Sequence, residues 1–169
     1  MLSLPLKSEI LNQSFLDHVA RNFQLSHKGQ HGIQHWLRVI INGRFIAKKT
    51  SINLKVLELF AILHDSRRWS DGEDSDHGMR AAEYSENLVG KWFEADKEEM
   101  RRLRIACRYH SDGKMHPDPT IQACWDSNRL DLGRKGIKPE SSLLGIPFSK
   151  KPETIQASIE RSKQNFGGF

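Results

Sequence analysis

The chain has 169 residues, a net charge of +5 at pH 7, 37% hydrophobic and 28% charged residues. That length supports one domain with its own core, and the composition is that of an ordinary globular protein, not a repetitive or low-complexity chain. No apolar run approaches the ~18 residues of a membrane span, and Cys107 and Cys124, at no metal-type spacing, exclude a disulfide framework and read as free thiols in a reducing compartment.

The N-terminal "MLSLPLKSEI" is too short an apolar stretch for a signal-peptide core, and Pro5 and Glu9 interrupt it. A cytoplasmic location is the expectation. Ile10, Leu11, Phe15, Val19 and Phe23 then recur at helical steps, which predicts an amphipathic helix over 8–24. Ile33, Trp36, Leu37, Ile40, Ile41 and Phe45 predict a second over 31–48. Asn53 is a natural N-cap for a third, through Leu54, Leu57, Leu59, Phe60 and Leu63. The polar "SRRWSDGEDSD" reads as a loop. Asp76 can cap a fourth helix over 77–93. Asp96 opens a fifth, "DKEEMRRLRIACRYH", with acids first and bases after, as the helix dipole favours. "SDGKMHPDP" is a loop, and a sixth helix begins near Thr120. After Asp131 the chain is richer in glycine and proline. It reads as irregular, with a short helix near 153–163 and a frayed "FGGF" tail. No segment alternates with period two, so the fold class is all-α.

One stretch raises a chemical question. In "FAILHDSRRW" an apolar run ends in His64-Asp65, at the edge of the core. Upstream, His31 and His35 stand four apart in one predicted helix, hence on one face. Downstream, Asp126 ends an apolar stretch. His35, His64, Asp65 and Asp126 form a mixed nitrogen and oxygen set, suited to Mn, Fe, Co, Ni or Zn, with Mg possible. Such a set leaves coordination positions open for water or substrate, which catalysis needs.

These pieces, "HGIQHWLRV", "ILHDSRR", "DHGMRAAEY", "ACRYHS" and "DSNRLDLGRKGI", resemble in content and order the HD-domain superfamily of metal-dependent phosphohydrolases. The resemblance runs from about His31 to Ile137. His35 matches the leading histidine, His64-Asp65 the pair that names the family, and Asp126 the closing aspartate. Gly32 departs from the aspartate of many relatives. The resemblance implies a single-domain helical bundle with a central metal, its core over 26–140, an N-terminal helix over 1–25 packed on it, and an irregular C-terminal segment over 141–169. It implies hydrolysis of a small phosphate ester or anhydride, with a nucleotide the expected substrate.

His77 and His110, between the pair and Asp126, would hold a second ion in two-metal relatives. In one-metal relatives such histidines act on the substrate or as the acid. One ion is the expectation here, with His77, His110 and Asp65 as catalytic groups. Arg38, Arg67, Arg68 and Arg134 are the candidate phosphate donors, since guanidinium offers paired N–H groups; the other reading pairs such cations with Asp71, Asp74 and Asp131. Asp71 or Glu73 could orient a water. His31, His18, His27 and His116 read as structural or surface residues. Two rival functions use the same features. A di-iron oxygenase would draw on His35, His64, Asp65, His77, His110 and Asp126. A non-catalytic nucleic-acid-binding domain would use the positive charge, although its basic residues form no single block.

Overall fold

The computed structural model describes residues 8–166. In chain order they form α1 (Gln13–Arg21), α2 (Ile33–Ala47), α3 (Leu54–Leu63), α4 (His77–Leu88), α5 (Lys97–Tyr109) and α6 (Pro119–Arg129). Two 3₁₀ segments, Leu130–Lys135 and Ser141–Leu143, lead to α7 (Pro152–Ser162). Among the described residues the only bridge-type pairing is an isolated one between Val89 and Phe93. The all-α, single-domain expectation holds.

Helix α3 explains the arrangement. Every residue from Val56 to Leu63 is buried. A helix that is apolar all round needs neighbours all round, and α2, α5, α6, α4 and α1 supply them. One apolar cluster joins Phe15 of α1, Trp36 of α2, Phe60 of α3, Trp125 of α6 and Ile155 of α7. The first and last helices therefore share the core of the middle ones. Glu58, the one buried charge of α3, is matched by Arg44, whose Nε donates to its carboxylate at 2.7 Å.

The helix ends follow local chemistry. Asn53 caps α3 by accepting from Val56 N–H. Asp96 and Glu99 form a capping box on α5. Asp118 caps α6, with Pro119 in its first turn. Three helices differ in extent from expectation, and one cap lacks its bond. Asn12 caps α1, so that helix is shorter than 8–24. The turn at Gly90, with φ of 76°, stops α4 near Leu88 instead of 93. Asp76 sits at the N-cap of α4 without a side-chain cap bond. Helix α2 starts at Ile33, because Gly32 packs on the His27 carbonyl, where a Cβ would lie 2.2 Å from the oxygen. His31 is thus in the preceding turn and shares no helix face with His35. The end of the tail, beyond Phe166, lies outside the described residues.

Helices α4 and α5 pack closely through Gly78, where a Cβ would lie 2.6 Å from the carbonyl oxygens of Cys107 and Arg108. Backbone cannot turn aside as a side chain can. Gly78→Ala is expected to cost about 1–3 kcal/mol and to lower the melting temperature by several degrees, read by circular dichroism. An unchanged melting temperature would show that the helices separate freely.

Candidate functional site

The packing brings four helix-borne histidines to one carboxylate. His64 is the C-cap of α3, and Asp65 follows it into the turn. His35 comes from the first turn of α2, His77 begins α4, and His110 is the C-cap of α5. All are buried. Asp65 Oδ2 lies 3.5 Å from His35 Nε2 and 3.4 Å from His64 Nε2. Its Oδ1 lies 3.4 Å from His77 Nε2 and 3.5 Å from His110 Nε2. The carboxylate therefore sits between two pairs of imidazoles.

Each imidazole has its other nitrogen committed. His35 Nδ1 donates to Asp131 Oδ2 at 2.7 Å. His64 Nδ1 faces the Phe60 and Ala61 carbonyls, each at 3.1 Å. His77 Nδ1 donates to the Asp74 carbonyl, and His110 Nδ1 to that of Cys107 at 2.7 Å. A neutral ring protonated at Nδ1 carries its lone pair on Nε2. Burial pushes the His35 pKa well down, helped by the Arg134 guanidinium and His64. Burial and His110 lower that of His77.

The result is a set of acceptors facing one another. His35 and His64 Nε2 are 3.0 Å apart, and His77 and His110 Nε2 2.9 Å. Asp65 Oδ1 is buried with no hydrogen-bond partner. Lone pairs at such distances repel unless a cation lies between them. Two groups meet the requirement, His35–His64–Asp65 and Asp65–His77–His110, with the ligand atoms of each within 4.8 Å of one another. These residues fit a divalent metal, and Asp65 belongs to both groups.

Asp126 stands apart from both. Its carboxylate accepts from Gln122 Nε2 at 2.8 Å, Gly145 N at 2.9 Å and Ile146 N at 2.8 Å. Burial raises its pKa against those bonds. Its work is to pin the chain at 145–146. Asp131, five residues on, orients His35 instead and takes Arg38 Nε at 2.7 Å.

The arginines divide in the same way. Arg38 is occupied by Asp131 and the Gln164 carbonyl. Arg67 donates to the Asn22 carbonyl and lies over the Tyr84 ring. Arg68 and Arg134 line a cavity of about 290 Å³ together with Lys135, Asp65, His110, His31 and Asn128. Arg68 Nη1 is 3.6 Å from Asp65 Oδ1. The Ser70 and Gly72 carbonyls tether Arg68, and those of Gln30 and Asp131 tether Arg134. A larger cavity, about 1060 Å³, lies between Ile137 and Gln156. It touches none of the histidines, so chemistry and not size selects the smaller one. Asp71 bonds His31, and Glu73 is exposed. His18 stacks on Trp92, His27 reaches the Ala20 carbonyl, and His116 packs on Trp125. None of these three lines the cavity.

No family model matches the sequence, and no curated protein matches it. The fold does match a solved one. A crystal structure described as a predicted HD superfamily hydrolase, from an uncultured Thermotogales bacterium, superposes with a TM-score of 0.68. The match covers 88% of this chain and 84% of that one at 21% identity. The chain has the HD-superfamily fold. No helix among the described residues is long and apolar enough to cross a membrane.

The two aspartates can be told apart. Asp126→Ala leaves the Gly145 and Ile146 amides without their acceptor. It is expected to cost about 1–3 kcal/mol for each buried amide and to leave bound metal unchanged. His64→Ala should lose metal and keep its helical content. Metal analysis with thermal melts checks both. Loss of metal in Asp126→Ala at full stability would return Asp126 to the ligand set.

Proposed function

We propose that the protein is a metal-dependent phosphohydrolase that holds two divalent cations across Asp65 and acts on a small phosphate ester. The carrying observation is the cavity itself. Its floor is Asp65 and His110, both buried, and its walls carry Arg68, Arg134 and Lys135. Converging cations around a metal-binding floor suit a phosphate dianion.

The donor set favours two ions over the one expected from sequence, because both lobes of Asp65 have their own pair of imidazoles. It also favours Mn, Fe, Co, Ni or Zn over Mg, which prefers oxygen ligands and retains its waters. Divalent cations in such a site supply a water of lowered pKa and neutralise phosphate oxygens. The protein's own residues do the rest. Asp131 keeps the His35 ring turned so that Nε2 faces Asp65. The tethers of Arg68 and Arg134 hold two guanidiniums at the cavity wall before substrate arrives, so little reorganisation is needed. The cavity's size fits a compact ester and is small for a polynucleotide. A nucleoside monophosphate remains within this reading.

The test is metal analysis followed by phosphate release from a panel of sugar phosphates, nucleoside monophosphates and aryl phosphates. Two ions per chain are expected, with turnover that a chelator abolishes and added Mn or Co restores. Metal-loaded protein that releases no phosphate from any of them would overturn the proposal. Two irons with oxygen consumption would establish the oxygenase instead, and strongly salt-dependent nucleic-acid binding without turnover the binding domain.

A further inference from the structure

Hydrolysis of a phosphate ester needs a proton for the departing oxygen. The histidines that sequence put forward, His77 and His110, have both nitrogens committed, Nδ1 to a carbonyl and Nε2 to the group around Asp65. Among the other residues lining the cavity, His31 and Lys135 are the side chains that titrate without forming part of either metal group.

These two are joined. His31 is buried, and its Nδ1 donates to Asp71 Oδ1 at 2.7 Å. Its Nε2 lies 3.1 Å from Lys135 Nζ. With Nδ1 protonated, Nε2 is the acceptor and the ammonium the donor. Burial lowers the His31 pKa to about 4, with Asp65 and Asp71 opposing and Arg68 and Lys135 assisting. The ring is neutral at pH 7, and the mobile proton of the pair is on Lys135. Partial desolvation beside the cavity lowers the Lys135 pKa, and the Arg134 and Arg68 guanidiniums add to it against Asp65 and Asp71. An amine whose pKa is lowered is a better proton donor than an ordinary lysine. Position agrees. The floor of the cavity is buried Asp65 and His110, whereas Lys135 is exposed at its mouth. A water attacking from the floor expels the organic group towards the mouth.

Resting on the phosphohydrolase reading, we infer that Lys135 is the catalytic acid for the leaving group, and that His31 and Asp71 are positioning residues that aim its ammonium. In the step, the water oxygen bonds to phosphorus, and the bond from phosphorus to the ester oxygen breaks with its electron pair on that oxygen. Lys135 gives this oxygen a proton and becomes a neutral amine. The proton shed by the attacking water passes to solvent, from which Lys135 is recharged.

The experiment compares two esters on metal-loaded protein: 4-nitrophenyl phosphate, whose leaving group needs no proton, and an alkyl phosphate, whose leaving group does. Lys135→Arg keeps a cation but holds its proton too tightly to give it up. Its kcat on the alkyl ester should fall by ~10²–10⁴-fold, the usual worth of a positioned acid. Its kcat on the nitrophenyl ester should stay within about threefold, and KM for both should hold, because the charge is retained. His31→Gln retains an acceptor for the ammonium and should keep most of the alkyl-ester rate. His31→Leu should lose it selectively. Asp71→Asn, at an exposed position, should show a weaker form of the same selectivity. Equal losses on both esters in Lys135→Arg, or none, would overturn the assignment. So would a selective loss in His31→Gln as deep as in His31→Leu, which would make the imidazole the acid. Wild type that releases phosphate from neither of these nor any other ester of the panel would overturn the phosphohydrolase reading and this assignment together. Wild type active on both leaves that reading standing whatever the variants do.

Discussion

The organising constraint is one buried carboxylate. Asp65 lies at the end of the most enclosed helix, where an ionised group without partners would cost several kcal/mol even after relaxation. The fold answers with imidazoles instead of a single counter-ion. Three of the four rings are oriented within their own helix ends or loops. His64 and His110 donate Nδ1 to carbonyls three or four residues back, and His77 does so to Asp74. These three are aimed by local backbone, whatever else is present. His35 is different, since its orienting partner, Asp131, comes from beyond α6. The site is therefore closed only when the chain has returned from α6 to α2. A divalent cation placed among these acceptors turns mutual repulsion into attraction, so metal binding and folding stability are linked.

The C-terminal third shows how irregular chain is held beside such a site. It has no ladder of its own to satisfy its backbone, so side chains from the helices do so. Asp126 takes the amides of Gly145 and Ile146. Arg129 donates to the carbonyls of Lys114 and Leu143, which ties two loops to the end of α6. Arg38 and Gln34 reach the backbone at Gln164 and Phe166. Buried polar residues outside the metal groups thus act largely as backbone partners.

Much of this was legible in the sequence, for physical reasons. Amphipathic periodicity and caps such as Asn53 and Asp96 depend on near neighbours, so the helices could be read from the chain. The His64-Asp65 pair was conspicuous because an imidazole and a carboxylate stand side by side at the end of so apolar a run. That Asp131 would be the carboxylate meeting His35 was not legible. Asp126 belongs to α6, while Asp131 lies in the 3₁₀ segment Leu130–Lys135, whose tighter winding breaks the angular register that helical spacing assumes. Arg38 offered no sign of being consumed by Asp131, ninety-three residues away along the chain. His31 was placed on a helix face because nothing local showed that Gly32 would pack on the His27 carbonyl and delay the start of α2. Whether His77 and His110 turn towards the same oxygen of Asp65 is settled only by the packing of α4 on α5.

The charge distribution completes the argument. A net charge of +5 says little about function by itself. Its local arrangement says more. Arg104 pairs with Glu86, Arg80 with Asp74 and Arg44 with Glu58. Arg68, Arg134 and Lys135 instead converge on the cavity that Asp65 floors. The two arginines are fastened by backbone carbonyls, which hold their planes in place, and each has one carboxylate at longer range, Asp65 at 3.6 Å from Arg68 and Asp131 at 3.7 Å from Arg134. Lys135 is fastened by one imidazole that carries no charge at neutral pH. Rigid, permanently charged groups suit the part of a substrate whose charge does not change during reaction. A proton-bearing amine on a flexible stem suits the part where charge appears and leaves.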